Sequence, residues 1–447
     1  MSAHLRILNE RPMQTLVRLA VPNLAASLVQ SLMIVVEGWY AGSLGSVALA
    51  AVALVFPMFM ATMMLSAGAM GGAVAGAMAR AMGSGDTERA NAVLRVAILI
   101  SLGIGSLKAV LVLTFGPWLF AAMGGEGQVL DAALAYCWVL FPGIALIWTT
   151  NMVTGALRGT GDMLRPAMVT GLIVLVHFAL ILLQQLAGAP FGLAGAAGAL
   201  LGAYLAGLLY VLSIWRSTAR PVRISFSGWT RLTGGLKVLT AGTLAGSQTV
   251  MTIAYSLLAT AVFGNLSAEW LAGYGIAMRL ELLIVPVIFG IGGAGMVATG
   301  TLLGAGRRGD AIRMGWLSAL TAAGLVGGIG LIVSIWPGLW TGLFTDQPDI
   351  AETAAQTLGI VGPCYAFFGL GLCLYFVSQG LATLPIPVLG AVLRLSVVGC
   401  LFWALARSGS LTTDTALWTV SGAMIFYGCF VAISLAAGPW RLSRGPV

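Results

Sequence analysis

Glu37 lies within QSLMIVVEGWYAG, residues 30–42, a run otherwise suited to lipid. A charged side chain near the bilayer centre costs about 2.5–3.5 kcal/mol on insertion scales, so such a group faces a cavity or a partner. Its chemistry there is exchange: a carboxyl group takes up and releases a proton, or holds a cation such as Na⁺. Asn23, Ser27, Gln30 and Glu37 are separated by four, three and seven residues, which places them on one stripe of a helix. A polar stripe lining a wet cavity fits this spacing, and so does a structural hydrogen bond between helices. His177 sits in VLVHFALILLQQ, another apolar run. Imidazole titrates near neutral pH, so His177 suits a proton relay with Glu37 and equally suits a neutral ring bonded to a neighbouring helix.

A second group lies in the other half of the chain. Glu281 and Arg279 occur in MRLELL, two residues apart and therefore on different helix faces. Glu281 is a candidate second cation or ligand site, or an interhelical tether. Gln248, Thr252 and Tyr255 are spaced by four and three and form another polar stripe. Tyr40 and Met33, with Trp39, Phe56, Met63 and Met64, offer a polarizable lining for flat cations, although such side chains in apolar helices usually just pack. Lys108 reads as a side chain snorkelling from a helix end.

The elements that position these groups follow from composition. The 447 residues are 59% hydrophobic and only 8% charged, with a mean hydropathy of +0.99. About 25% charged residues is usual for a soluble domain. Repeated apolar stretches of about 20 residues read as membrane-spanning helices. Twelve spans are expected: 16–41, 47–79, 93–115, 129–154, 165–187, 193–215, 237–263, 270–302, 312–335, 352–378, 386–406 and 415–437. Pro22, Pro57, Pro142, Pro286 and Pro363 are candidate kinks. Trp118, Trp336, Trp340 and Trp440 fall near span ends as interface anchors.

Placing the N-terminus inside puts 19 of the 22 Lys and Arg residues, Arg394 among them, at the inner face. Both termini are then cytoplasmic. The net charge of +8 reflects this orientation rather than nucleic-acid binding, and no nucleic-acid partner is expected. The start of the chain does not read as a signal peptide. The five cysteines all fall in apolar runs and read as small hydrophobes. No CxxC, HExxH or GxxxxGK[ST] motif occurs, so neither a metal centre nor a cofactor is expected. An enzyme embedded in the membrane needs clustered carboxylates or histidines, whereas the acids here are scattered one per helix.

The basic gap RSTARPVRISFSGWTRLTGGLK, residues 216–237, divides the chain nearly in half. GSLGSVALAAVAL (42–54) aligns with GNLSAEWLAGYGI (264–276) at an offset of 222, and MGSGDTERA (82–90) with LGAGRRGDA (303–311) at 221. The expected organisation is an N-lobe at 1–215, a cytoplasmic linker at 216–236 and a C-lobe at 237–447. The fold class is an all-α integral membrane protein of two six-helix lobes, related by a pseudo-twofold axis along the membrane normal. At the 222-residue offset Glu37 matches Ala259, so the acid is not duplicated.

VVEGWYAGSLGSVALAAVAL, ARAMGSGDTERA, GALRGTGDMLRP, PFGLAGAAGALLGAY and LAGYGIAMRLELLIVP, in this order and spacing, resemble the multidrug and toxic compound extrusion (MATE) transporters of the MOP flippase superfamily. The resemblance covers essentially the whole chain. It implies secondary active efflux: amphipathic, cationic small molecules leave in exchange for H⁺ or Na⁺ by alternating access, with the ion gradient as energy source. It also implies a multi-pass protein of the bacterial cytoplasmic (inner) membrane, expected to act as a monomer. The family usually has Asp where this chain has Glu37, and that acid is a coupling residue, for a proton or for Na⁺. One branch carries Glu in span seven and Asp in span ten; this chain has neither, with Glu352 only at an edge. Another has an Asp in span five shortly after an Asn; here His177 stands at the Asn position and no Asp follows. The alternative within the superfamily is a lipid-linked oligosaccharide flippase, which is expected to hold more basic residues inside its cleft.

Overall fold

The computed structural model describes residues 3–189, 191–216, 222 and 235–441. The regular elements among them are all helices. A short α1 (Ala3–Asn9) precedes α2 (Pro12–Ser43). A long second span follows, made of α3 (Ser46–Met63), a π-helical segment (Met64–Met70) and α4 (Gly71–Gly83). Then come α5 (Thr87–Ala122), the pair α6 (Gly127–Leu140) and α7 (Ile144–Gly159), α8 (Leu164–Leu186) and α9 (Gly192–Arg216). The other half holds α10 (Gly235–Leu266), α11 (Ala268–Gly304), α12 (Arg308–Ile335), a single turn α13 (Gly338–Thr341), α14 (Pro348–Val361), α15 (Tyr365–Leu381), α16 (Pro385–Arg407) and α17 (Thr413–Ala437).

Among the described residues, eleven helices are long and apolar enough to cross a membrane, and the pair α6–α7, bent by 54° around Pro142, makes twelve. Between α14 and α15 a 3₁₀ turn, Gly362–Cys364, contains Pro363. Pro22, Pro57 and Pro286 are accommodated inside helices. The π segment had no sequence signal. It widens the helical ring by one residue, and such segments recur at functional sites.

Helix ends explain the two glycine-containing turns. Gly85 adopts φ +72° and Gly306 φ +78°, the left-handed conformation in which a Cβ is strained. Asp86 then caps α5 by accepting a hydrogen bond from the Arg89 N–H at 2.9 Å. In the second turn Arg307 pairs with Asp310 at 2.8 Å instead. The repeat is visible in these starts: α3 and α11 begin 222 residues apart, and α5 and α12 begin 221 apart.

The chain packs as two units. Unit 1 is Met1–Leu5 with Ala25–Thr243, and unit 2 is Arg6–Leu24 with Leu244–Val447. The sequence placed the division in a linker at 216–236, whereas packing places it inside α2 and α10. Side-chain bonding gives the reason. The Asn23 amide donates to the carbonyls of Phe289 and Gly290 on α11, each at 3.2 Å, and Arg307 donates to the Leu8 carbonyl. These bonds hold the start of α2 to unit 2. Most of the basic gap, residues 217–221 and 223–234, lies outside the described residues.

Three sequence expectations change. Lys108 is not at a helix end: its ammonium donates to the Met58 carbonyl at 3.1 Å and to Thr62 Oγ1 at 2.5 Å, tying α5 to α3 just ahead of the π segment. Arg394 is not at the inner face but in the middle of α16, and it is 5% exposed. Trp440 is 3% exposed, donates to Thr383 Oγ1 at 3.0 Å and meets Trp316 edge-on, so it is a packed residue rather than an interface anchor. In each case a hydrogen bond or ring contact accommodates a group that hydropathy alone assigns to the interface.

Candidate functional site

In unit 1 the site is built from α2, the π segment, α6, α7 and α9. Gly155 on α7 lies against Gly71 at the start of α4: a Cβ on Gly155 would stand 2.7 Å from the Gly71 carbonyl oxygen. Two bare backbones therefore meet, and α7 runs directly beside the π segment. Asn151 then donates to Ser66 Oγ at 2.8 Å, and Arg158 Nη2 to the Ala67 carbonyl at 3.4 Å.

A cavity of about 30 Å³ opens beside these contacts, room for one or two waters. Its wall includes Gln30, Met33, Asn151, Thr154, Arg158 and Tyr204. Gln30 and Met33 were candidates from sequence. Asn151, Thr154, Arg158 and Tyr204 were not, although Thr150, Thr154 and Arg158 recur every four residues in WTTNMVTGALRG, a polar stripe as regular as that of α2.

Glu37 is two turns along α2 from Gln30 and is 7% exposed. Tyr136 on α6, 2% exposed, donates its hydroxyl to the Glu37 carboxylate. Among the described residues no Lys, Arg or His forms an ion pair with Glu37. Tyr204 links this carboxylate to the cavity: it lines the cavity wall, lies within electrostatic reach of Glu37 and donates to Met63 Sδ at 3.3 Å. The arrangement holds one buried acid without an ion pair among the described residues, within electrostatic reach of a residue that lines the cavity, which suits uptake and release of a small cation or proton. The Tyr136–Glu37 pairing had no sequence signal, because the partners are 99 residues apart. Tyr136→Phe strands part of a buried acceptor, and we expect it to lower stability by about 1–3 kcal/mol. Thermal unfolding of the purified variant measures this; an unchanged melting temperature would show that Glu37 does not depend on that donor.

The other candidates of this half make their contacts with other groups. His177 is 1% exposed on α8, where the polar group bearing on it is the Ala199 backbone of α9. Tyr40 donates to the Gly192 carbonyl at 3.2 Å and so anchors α2 to the start of α9. Ser27 is half-buried on α2, and Asn23 belongs to unit 2.

In unit 2 the Gln248 amide donates to the Tyr427 hydroxyl at 2.8 Å. Thr252 donates back to the Gln248 carbonyl of its own helix at 3.0 Å. Tyr255 is 4% exposed and carries the Arg394 guanidinium over its ring at 3.6 Å from the centroid. Glu281 is half-buried on α11 within electrostatic reach of Arg394. Arg279 is exposed and lies over the Phe344 ring at 5.1 Å, on a different face from Glu281. Sequence spacing brought Gln248, Thr252 and Tyr255 together but missed Arg394, which only the fold of α16 delivers to them.

No group of three His, Cys, Asp or Glu side chains suited to a metal ion occurs among the described residues. The MatE family model matches residues 22–183 and 245–404, one stretch in each half of the chain. The chain is a MATE family transporter. It is 27% identical over 391 residues to a probable multidrug resistance protein NorM of Bradyrhizobium diazoefficiens, covering 84% of this chain and 79% of that one. A FAD transporter of Shewanella oneidensis is 24% identical, with 89% and 88% covered. Among solved structures, a MATE protein in a bent conformation superimposes with a TM-score of 0.89 at 22% identity, covering 97% of this chain and 98% of that one. A MOP superfamily transporter from Pyrococcus furiosus gives 0.86 at 22% identity, with 97% and 98% covered. At that identity the structures establish the fold, and the family match makes the chain a transporter.

Proposed function

We propose that this MATE transporter exports amphipathic, cationic small molecules by alternating access, driven by an inward proton gradient through Glu37. The observation that carries the reading is the setting of Glu37. Its carboxylate is buried in unit 1, takes its hydrogen bond from a neutral tyrosine and has no ion pair among the described residues. A proton needs only the carboxylate and a path for water, and the cavity reached through Tyr204 has room for water. A dehydrated Na⁺ needs several oxygen acceptors, whereas the neighbour that meets Glu37 presents a donor. The relatives above are described as multidrug resistance or FAD transporters, which favours a small molecule over a lipid-linked sugar as cargo.

The protein works as a monomer in the bacterial cytoplasmic membrane with both termini inside, an orientation supported by the clustering of Lys and Arg in the inner gaps. Everted vesicles given an organic-cation dye on the outside test the reading, with pH and Na⁺ gradients imposed separately. Dye movement under the pH gradient alone is expected. Movement under the Na⁺ gradient alone replaces the proton with Na⁺, and movement under neither removes the coupled-exporter reading.

A further inference from the structure

Arg394 is a costly side chain in unit 2. It is buried at 5% exposure in the middle of a membrane-spanning helix. A charge so placed is expensive unless something holds it. Among the described residues no carboxylate forms an ion pair with it, and its Nε makes no hydrogen bond. Ring faces hold it, and the Tyr255 hydroxyl also accepts a hydrogen bond from the guanidinium. The guanidinium carbon is 3.6 Å from the Tyr255 centroid and 5.8 Å from those of Phe368 and Tyr427. Three aromatic faces within about 6 Å of one cation form a cage of the kind that recognises organic cations.

The surroundings complete a site. Glu281 supplies the counter-charge at longer range from α11. The hydroxyls of Tyr274 and Tyr365, both within electrostatic reach of Glu281, have no hydrogen-bond partner, and neither does Gln248 Oε1. Gln248 is fixed against the cage through its bond to Tyr427. Unsatisfied buried polar atoms are rare in close-packed interiors and call for an explanation. Three of them in the surroundings of one caged guanidinium mark a place shaped for polar ligands as well as for packing.

We propose that this cage is a receptor for a planar organic cation and that the chain fills it with its own Arg394. Unit 2 thus carries a permanent, tethered cation beside its intramembrane acid, and an exchangeable cation is excluded from that place. Unit 1 differs: Glu37 has no such resident charge. Taken with the proposed function, which this last step rests on, ion exchange is assigned to Glu37, while Arg394 holds the cation place near Glu281. Two physical features favour guanidinium over a metal ion as occupant. The walls are ring faces, and the orphan oxygens include two hydroxyls that donate as readily as they accept.

The experiment uses the purified full-length protein and reads binding, not transport. Arg394→Ala empties the cage. Methylguanidinium at millimolar concentration is expected to raise the melting temperature of Arg394→Ala saturably, by several degrees, and to leave wild type unmoved. NaCl at equal ionic strength should not substitute. The added substitution Tyr255→Leu should remove the response. An Arg394→Ala protein that answers methylguanidinium no more than wild type does, or answers Na⁺ equally, overturns the proposal. If Arg394→Ala does not purify as folded protein, methylguanidinium present from membrane extraction onward reads the same site. Folded yield restored by it and not by NaCl supports the receptor; yield restored by neither overturns it. A failure of gradient-driven efflux leaves this binding result untouched, so the two readings fall separately.

Discussion

Glu37→Gln is expected to reduce gradient-driven efflux to the background rate while the protein still inserts in the membrane. The amide matches the carboxylate in size, and its oxygen can still accept the Tyr136 hydroxyl, so packing in unit 1 is largely kept. What it lacks is the ability to ionise. The remaining cost is an amide NH₂ buried without an assured partner, about 1–3 kcal/mol. Dye efflux from vesicles under an imposed pH gradient, with transporter content matched by immunoblot, is the measurement. Glu37→Asp is the informative companion. It restores the charge but is one methylene shorter, so it draws back from Tyr136 and should recover only part of the rate. Undiminished efflux by Glu37→Gln would remove Glu37 from the coupling mechanism.

The second large effect is structural. Gly155→Val is expected to destabilise the transporter by 3 kcal/mol or more, above the ~1–3 kcal/mol usual for overpacking. The reason is what the new Cβ meets: the Gly71 carbonyl oxygen at 2.7 Å and the Gly71 Cα at 3.1 Å. Both are backbone atoms and neither can rotate away. Relief requires α7 to retreat from α4, which pulls Asn151 from Ser66 and Arg158 from the π segment. The cavity wall is then lost with the fold. Folded yield on size exclusion and the melting temperature in detergent check this. Gly171→Ala is the control, since nothing lies within 4 Å of its added methyl; a helix-interior Ala there should be neutral or stabilise by up to ~1 kcal/mol. A Gly155→Val protein as stable as that control would show that the close approach of α4 and α7 is dispensable.

Much of the fold was legible because lipid imposes it. A helix must span about 30 Å of hydrocarbon and satisfy its own backbone, so span positions followed from apolar run length, and all twelve expected spans coincide with helices or with the bent pair. Helix ends at Gly85 and Asp86 followed from local turn chemistry. The repeat offset survived as equal spacing of helix starts. Local signals do not cross helices, however. The π segment reads as an ordinary apolar stretch, and its partners lie on α7. Tyr136 reads as one more aromatic residue until α6 lies against α2. Single charges were the weakest inferences: Lys108 and Arg394 were assigned to interfaces because hydropathy cannot see a carbonyl or a ring face waiting in the interior.

The sequence by itself determined that this chain is a membrane protein of twelve spans with one unduplicated acid, Glu37, in its first. Those properties depend on composition, period and run length, which are local or additive along the chain. Only the tertiary structure decided what each buried charge meets. It gave Glu37 a tyrosine hydroxyl, and gave Arg394 a cage of three rings. The physical reason is that a charge in a low-dielectric interior is governed by the few groups within about 6 Å of it, and here those groups come from helices distant in sequence.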